Sequence, residues 1–230
     1  MPKSSTRYHH GDLPAALVRA AIDLLEEGGA AELSLRAVAR RAGVSPSAPY
    51  RHFAVRDELL SAVAAVGYRE LGEALVKAHP APNSADDLAA IAVAYVQFAL
   101  TRPGLFRVMF GGPCDPDSPD RAAAVEAIHE YLNSVVRKAF PAADPETMPT
   151  ALWALVHGLA FLHLDGKLDA SSKRAVSNRV RAAVRAMLQT PVNAATAAST
   201  SAPPTAGRRR PGRSVSEFVP KARPSRAARR

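Results

Sequence analysis

Apolar residues in this 230-residue chain recur at the spacing of helices rather than in the alternation of strands. Leu35, Val38, Ala39 and Ala42, for example, fall at positions i, i+3, i+4 and i+7, which form one face of a helix. The pattern predicts an all-α fold of about nine helices, at roughly residues 13–28, 35–42, 45–53, 56–79, 85–102, 103–110, 120–140, 146–165 and 171–189.

The second and third of these helices are short and close together. Ser34 is placed to cap the second helix, and Gly43 ends it, since glycine accepts the left-handed conformation that follows a helix. Ser45 is predicted to cap the third helix. Pro46 then takes the first position, where no hydrogen bond is lost, and Pro49 the fourth, where one is lost. We therefore expect a tight helix, partly 3₁₀ at its start.

Composition favours a soluble, cytoplasmic protein. The single cysteine, Cys114, excludes an intrachain disulfide framework. The N-terminus lacks the apolar segment of a secretory signal, and no uninterrupted apolar run reaches membrane-spanning length. No membrane partner is therefore expected.

The net charge of +9 is unevenly distributed. Residues 191–230 are rich in arginine and proline and lack apolar periodicity, so this tail is predicted to be disordered. Most of the positive charge lies in the tail, where it could add nonspecific attraction to phosphates or have no role.

The second and third helices have the spacing of a helix-turn-helix, whose second helix enters the major groove of DNA. From Leu33 to Arg56 the chain has five arginines and no carboxylate. Because a surface that lies on phosphates cannot carry uncompensated acids, this pattern favours DNA binding. An ordinary helical hairpin with a solvated basic face is the alternative.

Residues 33–63 resemble the N-terminal DNA-binding domain of the TetR family of transcriptional regulators. The matching motifs are a serine before the second helix, an A-x-x-A-G-V-S turn, a Y-x-H-F ending of the third helix, and a basic-acidic-acidic-Leu-Leu start of the fourth. Here they are Ser34, Ala39 to Ser45, Tyr50 to Phe53, and Arg56 to Leu60. The family commonly has lysine where Arg56 stands, so the charge is kept.

The resemblance implies a DNA-binding domain over residues 10–70 and a helical effector-binding and dimerisation domain over residues 71–190. The segment from Arg102 to Phe110 and the Trp153-x-x-x-His157-Gly158 motif resemble the C-terminal domain of the W-H-G subfamily. The eighth and ninth helices resemble the family's dimer face. Two copies would therefore form a homodimer that binds double-stranded DNA at a palindromic operator.

The residues that we assign to DNA binding are Ser34, Arg36, Ser45, Ser47, Ala48, Tyr50, Arg51, His52 and Arg56. Ser47, Ala48 and Arg51 are expected to face base edges, although a phosphate is an equal alternative for Arg51. By resemblance, Tyr50 and His52 donate to phosphates and set the register. The alternative for Tyr50 is packing against the first helix. The alternative for Arg36 and Arg56 is a solvated charge without a role in DNA binding.

An effector pocket should be mostly apolar with a few polar anchors. Its candidate lining residues are Tyr95, Phe98, Phe106, Met109, Phe110, Trp153, His157 and Phe161, with plain core packing as the alternative for each. His157 and His163 lie about 120° apart around one helix, without a third ligand or a nucleophile. We therefore interpret them as buried, hydrogen-bonded histidines and predict no catalytic residue, metal or cofactor.

The sequence thus predicts a dimeric repressor, not an enzyme, that an unidentified small-molecule effector releases from DNA. A nucleoid-type protein that binds DNA through its basic tail, without an effector, is one alternative. An enzyme that uses His157 or His163 is another, and nothing in the spacing of these residues supports it.

Overall fold

The computed structural model describes residues 13–189, with the side chain of Glu32 excepted, and this part of the chain contains α-helices and 3₁₀ turns but no strand. The prediction of a disordered tail over residues 191–230 lies outside the described residues. Eight α-helices are formed: α1 Leu13–Gly28, α2 Leu35–Arg41, α3 Arg56–Ala78, α4 Ala85–Thr101, α5 Pro103–Gly111, α6 Pro119–Ala139, α7 Thr147–Leu164 and α8 Lys173–Gln189.

The helix ends follow local chemistry. The Ser34 hydroxyl accepts a hydrogen bond from the Ala37 amide at 3.1 Å, so the predicted cap of α2 is confirmed. At α4, Ser84 and Asp87 exchange bonds between side chain and backbone as a capping box. Gly43 has φ +69°, the left-handed conformation that glycine adopts without strain, and the chain turns away from α2 there.

The predicted third helix is wrong as an α-helix, so residues 13–189 contain eight α-helices rather than the expected nine. Residues 45–53 form turns and one 3₁₀ segment, Pro49–Arg51. Because Pro49 lacks an N–H, the first α-helical bond, from residue 49 back to the Ser45 carbonyl, cannot form. Instead, the Ala48 amide donates to the Ser45 carbonyl at 3.0 Å, a three-residue step. Ser45 does not act as the predicted side-chain cap, since its hydroxyl contacts that of Ser47 at 3.3 Å.

Helix α3 is central to the described part of the chain. It packs against α1, α4, α5 and α6, and its side chains Leu59, Leu60, Val63, Leu71 and Leu75 are fully buried. On the other side of α4 lie α7 and α8, and Val176, Val180 and Val184 of α8 are buried there. The apolar stripe of α8 thus packs against α4 within the monomer.

Helix α7 is the most apolar helix and is incompletely covered. Its length and mean hydropathy of 1.3 would suit a membrane span, but only 33% of it is buried within the monomer. Among the described residues, α4 and α5 would satisfy the same criterion only as a pair bent by 105°. Length and hydropathy alone do not establish a membrane span, because an apolar helix of a folded core has the same length and hydropathy. The low burial of α7 shows that the monomer leaves an apolar face of this helix uncovered.

Candidate DNA interface and ligand site

The 3₁₀ segment and α2 before it expose several polar side chains. Arg36, Ser47, Arg51 and His52 are exposed, and 51% of Tyr50 is exposed. About half of the Tyr50 side chain is therefore accessible to a partner. Phe53 is buried in the core and holds the end of the segment in place. The exposed side chains can thus reach a partner while the backbone beneath them is held in place.

Two of the five arginines in this region already have partners within the chain. Arg41 forms a salt bridge with Glu27 of α1. Arg56 donates from Nε to the Leu33 carbonyl at 2.9 Å and from Nη2 to the Ala30 carbonyl at 2.7 Å, which ties the start of α3 to the turn before α2. Arg56 is also half-buried, so at least part of its hydrogen-bonding capacity serves the fold.

Of the other assigned residues, Ser34 is exposed but uses its hydroxyl as the α2 cap, and Ala48 is partly buried before the 3₁₀ segment. Arg40 of α2 is also exposed, although we did not assign it to DNA binding from the sequence. Its position off the apolar face of α2 was the signal that could have identified it.

Helix α5 meets α1 at a polar contact that sequence reasoning missed. The Glu26 carboxylate accepts hydrogen bonds from the Gly104 amide at 3.3 Å and the Leu105 amide at 3.2 Å, at the positive N-terminal end of α5. The Arg102 guanidinium bridges Glu26 at 3.3 Å and Glu70 of α3 at 2.8 Å. This contact connects α1, α3 and α5, which are distant in sequence. No local sequence pattern could therefore predict it.

An aromatic cluster surrounds His157 of α7. Its ring lies 4.6 Å from Phe110, 4.9 Å from Phe161, 5.7 Å from Trp153 and 5.9 Å from Phe106, measured between centroids. The Tyr95 hydroxyl lies 2.9 Å from His157 Nδ1, within hydrogen-bonding distance. This pair is the polar centre of an otherwise apolar region.

Burial controls the ionisation of both members of the pair. It lowers the pKa of His157, because the imidazolium would lose solvation. It raises the pKa of the Tyr95 phenol for the corresponding reason, since the phenolate is the charged form. Both groups are therefore neutral at pH 7, and they can orient a ligand by hydrogen bonding rather than by charge.

A cavity of about 50 Å³ lies beside this cluster, between α4, α6 and α7. Of the eight residues predicted to line a pocket, Tyr95 and Trp153 line it. Phe106 and Met109 are buried in the core instead, and Phe98 is 9% exposed and lies away from the cavity. Most of the wall is aliphatic and was missed: Leu88, Ile91, Ala92, Leu132, Val135, Val136, Pro149, Leu152 and Val156.

The two histidines of α7 differ in their surroundings. His157 has the hydrogen bond that was expected of it, whereas His163 is 3% exposed and neither of its ring nitrogens has a partner. Burial lowers the pKa of His163, and the nearby Arg179 charge lowers it further. The carboxylate of Asp165, two residues after His163, forms a salt bridge with Arg107 and not with the histidine. Within residues 13–189, no group of three or more His, Cys, Asp and Glu side chains is arranged to hold a metal ion.

The uncovered face of α7 is apolar. Ala151, Ala154 and Leu162 are exposed, with Leu162 at 44%, while Leu155 and Gly158 are partly exposed between them. Their spacing of three, four and seven residues places them along one side of the helix. The monomer thus leaves an apolar strip of α7 uncovered.

Comparisons with known proteins match both parts of the chain. Residues 17–63 match the family model of bacterial regulatory proteins of the tetR family. Residues 88–188 match the tetracyclin repressor-like C-terminal domain. The family model of this second match is not that of the W-H-G subfamily. The resemblance of the C-terminal domain to that subfamily therefore stays a prediction.

The relatives agree with the family models. The HTH-type transcriptional regulator Rv1816 of Mycobacterium tuberculosis is 39% identical over 106 residues, which is 44% of this chain and 45% of that protein. The match thus spans less than half of this curated relative. A solved Rhodococcus sp. RHA1 protein of unknown function is 34% identical, with a TM-score of 0.66 over 79% of this chain and 98% of that one. A regulatory protein of the tetR family, also from Rhodococcus RHA1, shares the fold at 21% identity, with a TM-score of 0.58 over 75% and 95% of the two chains.

Proposed function

This chain belongs to the TetR family of bacterial regulatory proteins, and we propose that it is a cytoplasmic, dimeric repressor that binds a palindromic operator and is released by a small-molecule effector. One observation supports the proposal most: the segment from Leu33 to Arg56 exposes arginines, hydroxyls and a histidine and contains no carboxylate of its own. Such a segment suits the phosphate backbone and the donor-rich and acceptor-rich floor of the major groove.

The direct test is footprinting on genomic fragments, in which a discrete protected palindrome is expected. Its half-sites should be about 34–36 Å apart, one turn of the double helix. Arg51→Ala should weaken operator binding by about 1–3 kcal/mol if this side chain reads a base. Arg137→Ala, an equally simple loss of an exposed arginine on α6, is the matched control and should leave the affinity unchanged.

Protection spread over every fragment would contradict the repressor proposal and favour the nucleoid-type alternative. A chain shortened to residues 1–190 separates these two functions. A repressor without its basic tail keeps its preference for the operator and loses only salt-sensitive affinity, whereas a DNA-coating protein loses most of its binding.

The exposed strip of α7 supports a dimer interface. Two copies that pack through α7, with α8 beside it, would cover Ala151, Ala154 and Leu162. A charged residue placed in such an interface would lose its solvation without gaining a partner. Leu162→Asp should therefore give a monomer in sedimentation velocity.

Val76→Asp is the control for this test. Val76 is 45% exposed and Leu162 is 44% exposed, so the two side chains are equally accessible. Val76 lies on α3, however, which is not part of the proposed interface. The dimer should survive this change. If Leu162→Asp also left the dimer intact, the proposed interface would be wrong.

The contact between α5 and α1 supports a route from effector to DNA. Phe106 and Phe110 of α5 lie in the aromatic cluster, while Gly104 and Leu105 of the same short helix are bonded to Glu26 of α1. A ligand that separates α4 from α7 would displace α5, and through it the DNA-binding helices. It can do so only by binding the released conformation more tightly than the operator-bound one.

A further inference from the structure

The cavity between α4, α6 and α7 is small and lined without charge. No Lys, Arg, Asp or Glu is among its eleven lining residues, and all but Tyr95 and Trp153 are aliphatic or proline. One water-sized group needs roughly 10–15 Å³ of such a volume. The cavity of about 50 Å³ therefore holds about four such groups, a length of alkyl chain of about four carbons.

A second recess of about 170 Å³ shares part of its wall with this cavity. Leu132, Pro149 and Trp153 line both spaces. The remaining wall of the recess consists of His129, Asn133 and Thr150, which can donate and accept hydrogen bonds but carry no fixed charge.

Trp153 lies between the two spaces. Its ring packs edge-on against His129 at 5.4 Å and at a tilt of 51° against His157 at 5.7 Å, and 36% of the residue is exposed. A change of its rotamer would join the apolar cavity to the polar recess, which opens at the seam between α6 and α7.

On the basis of the proposed function, we propose that the effector is an uncharged amphipathic molecule with Trp153 as the gate of its site. Its short alkyl body fills the cavity, and its hydroxyl, amide or ester head bonds to His129, Asn133 and Thr150 in the recess. A carboxylate or an ammonium group is disfavoured because neither space offers it a charged partner, so it would lose part of its hydration at the recess without gaining an ion pair.

Trp153 is the one tryptophan of the chain, so its fluorescence reports on the gate directly. The full chain is titrated with 1-hexanol, hexanoate and hexylamine, three probes that differ only in the head group. Hexanol should change the emission saturably, with an apparent affinity at least about tenfold above those of the two charged probes.

Two pairs of variants locate the binding. Ala92→Leu fills the cavity and should weaken hexanol binding by about tenfold or more, whereas Ala90→Leu, on the same helix but outside the cavity wall, should not. Asn133→Leu removes the amide from the recess and should weaken hexanol binding several-fold, while Asn178→Leu on α8 should have no effect.

If Ala92→Leu proves unfolded by circular dichroism, Val136→Ile makes the same test with a single added methylene and a smaller expected loss. Equal affinity for the three probes, an unchanged Trp153 emission, or hexanol binding that no cavity variant weakens would overturn the inference. These outcomes are independent of the footprint: a chain that protects an operator but fails here loses only this inference. A chain that passes here without an operator keeps the inference and loses the proposed function.

Discussion

Replacement of Gly104 by alanine tests the contact between α5 and α1. A Cβ atom at this position would lie 2.7 Å from the carbonyl carbon of Leu25 and 3.2 Å from the Glu26 nitrogen, and closer still to the Leu25 oxygen. Carbon atoms in contact are about 3.5–4.0 Å apart, so α5 would have to retreat from α1 by about 0.8 Å or more. The neighbour is backbone, which cannot rotate away as a side chain can.

The expected cost follows from this geometry. Overpacking of a fitted contact destabilises a protein by about 1–3 kcal/mol. The retreat would also lengthen the bonds from the Gly104 and Leu105 amides to Glu26, which already measure 3.3 and 3.2 Å. We therefore expect Gly104→Ala to lower the free energy of unfolding by about 1–3 kcal/mol.

Gly72→Ala is the matched control, because Gly72 lies within α3 and its added Cβ would meet nothing within 4 Å. Alanine there should stabilise the helix by about 0.5–1 kcal/mol, since glycine loses more backbone entropy on folding. Urea unfolding of both variants and the parent chain gives the comparison. If the two changes shifted the free energy of unfolding in the same direction and by similar amounts, the close approach of α5 to α1 would be refuted.

Three further changes test other parts of the structure. Pro49→Leu should leave the fold intact by circular dichroism and cost about 0.4–1 kcal/mol of unfolding free energy, because proline at the start of the 3₁₀ segment mainly restricts the unfolded chain; an unfolded variant would contradict this. Tyr95→Phe should cost about 1 kcal/mol in urea unfolding through loss of the bond to His157, and no cost would mean that the bond is not formed in solution. Because the folded chain depresses the pKa of His163, the unfolded state binds its proton first as pH falls below about 6.5, so stability is complete above that pH and declines below it. His163→Phe should reduce this decline in thermal unfolding scans between pH 7 and 5, and an unchanged slope would assign the decline to other groups.

Local interactions account for what could be read from the chain itself. Caps such as Ser34, the glycine at residue 43 and the helical spacing of apolar residues act over three or four positions, so the sequence pattern predicts where most helices begin and end. The arginines and the missing carboxylates of residues 33–56 are likewise visible without a structure. These features were sufficient to indicate an all-α regulator of this family.

What the sequence pattern did not determine depends on contacts between distant residues. Arg41 and Arg56 both lie in the basic segment, but their partners, Glu27 and the carbonyls of Ala30 and Leu33, are 14 to 26 positions away. Side-chain type alone could not distinguish these structural arginines from the exposed Arg36 and Arg51.

At the ligand site, too, the sequence showed one part of the site and only the tertiary structure showed the other. The aromatic residues near His157 could be identified from their chemistry, yet the cavity lies mainly among aliphatic side chains of α4, α6 and α7. A Val or Leu looks the same in a sequence whether it fills space or borders it, because a cavity exists only where packed helices fail to meet. By itself the sequence determined the helices, the basic face and the family, and the tertiary structure decided which arginines remain exposed and where a ligand has room.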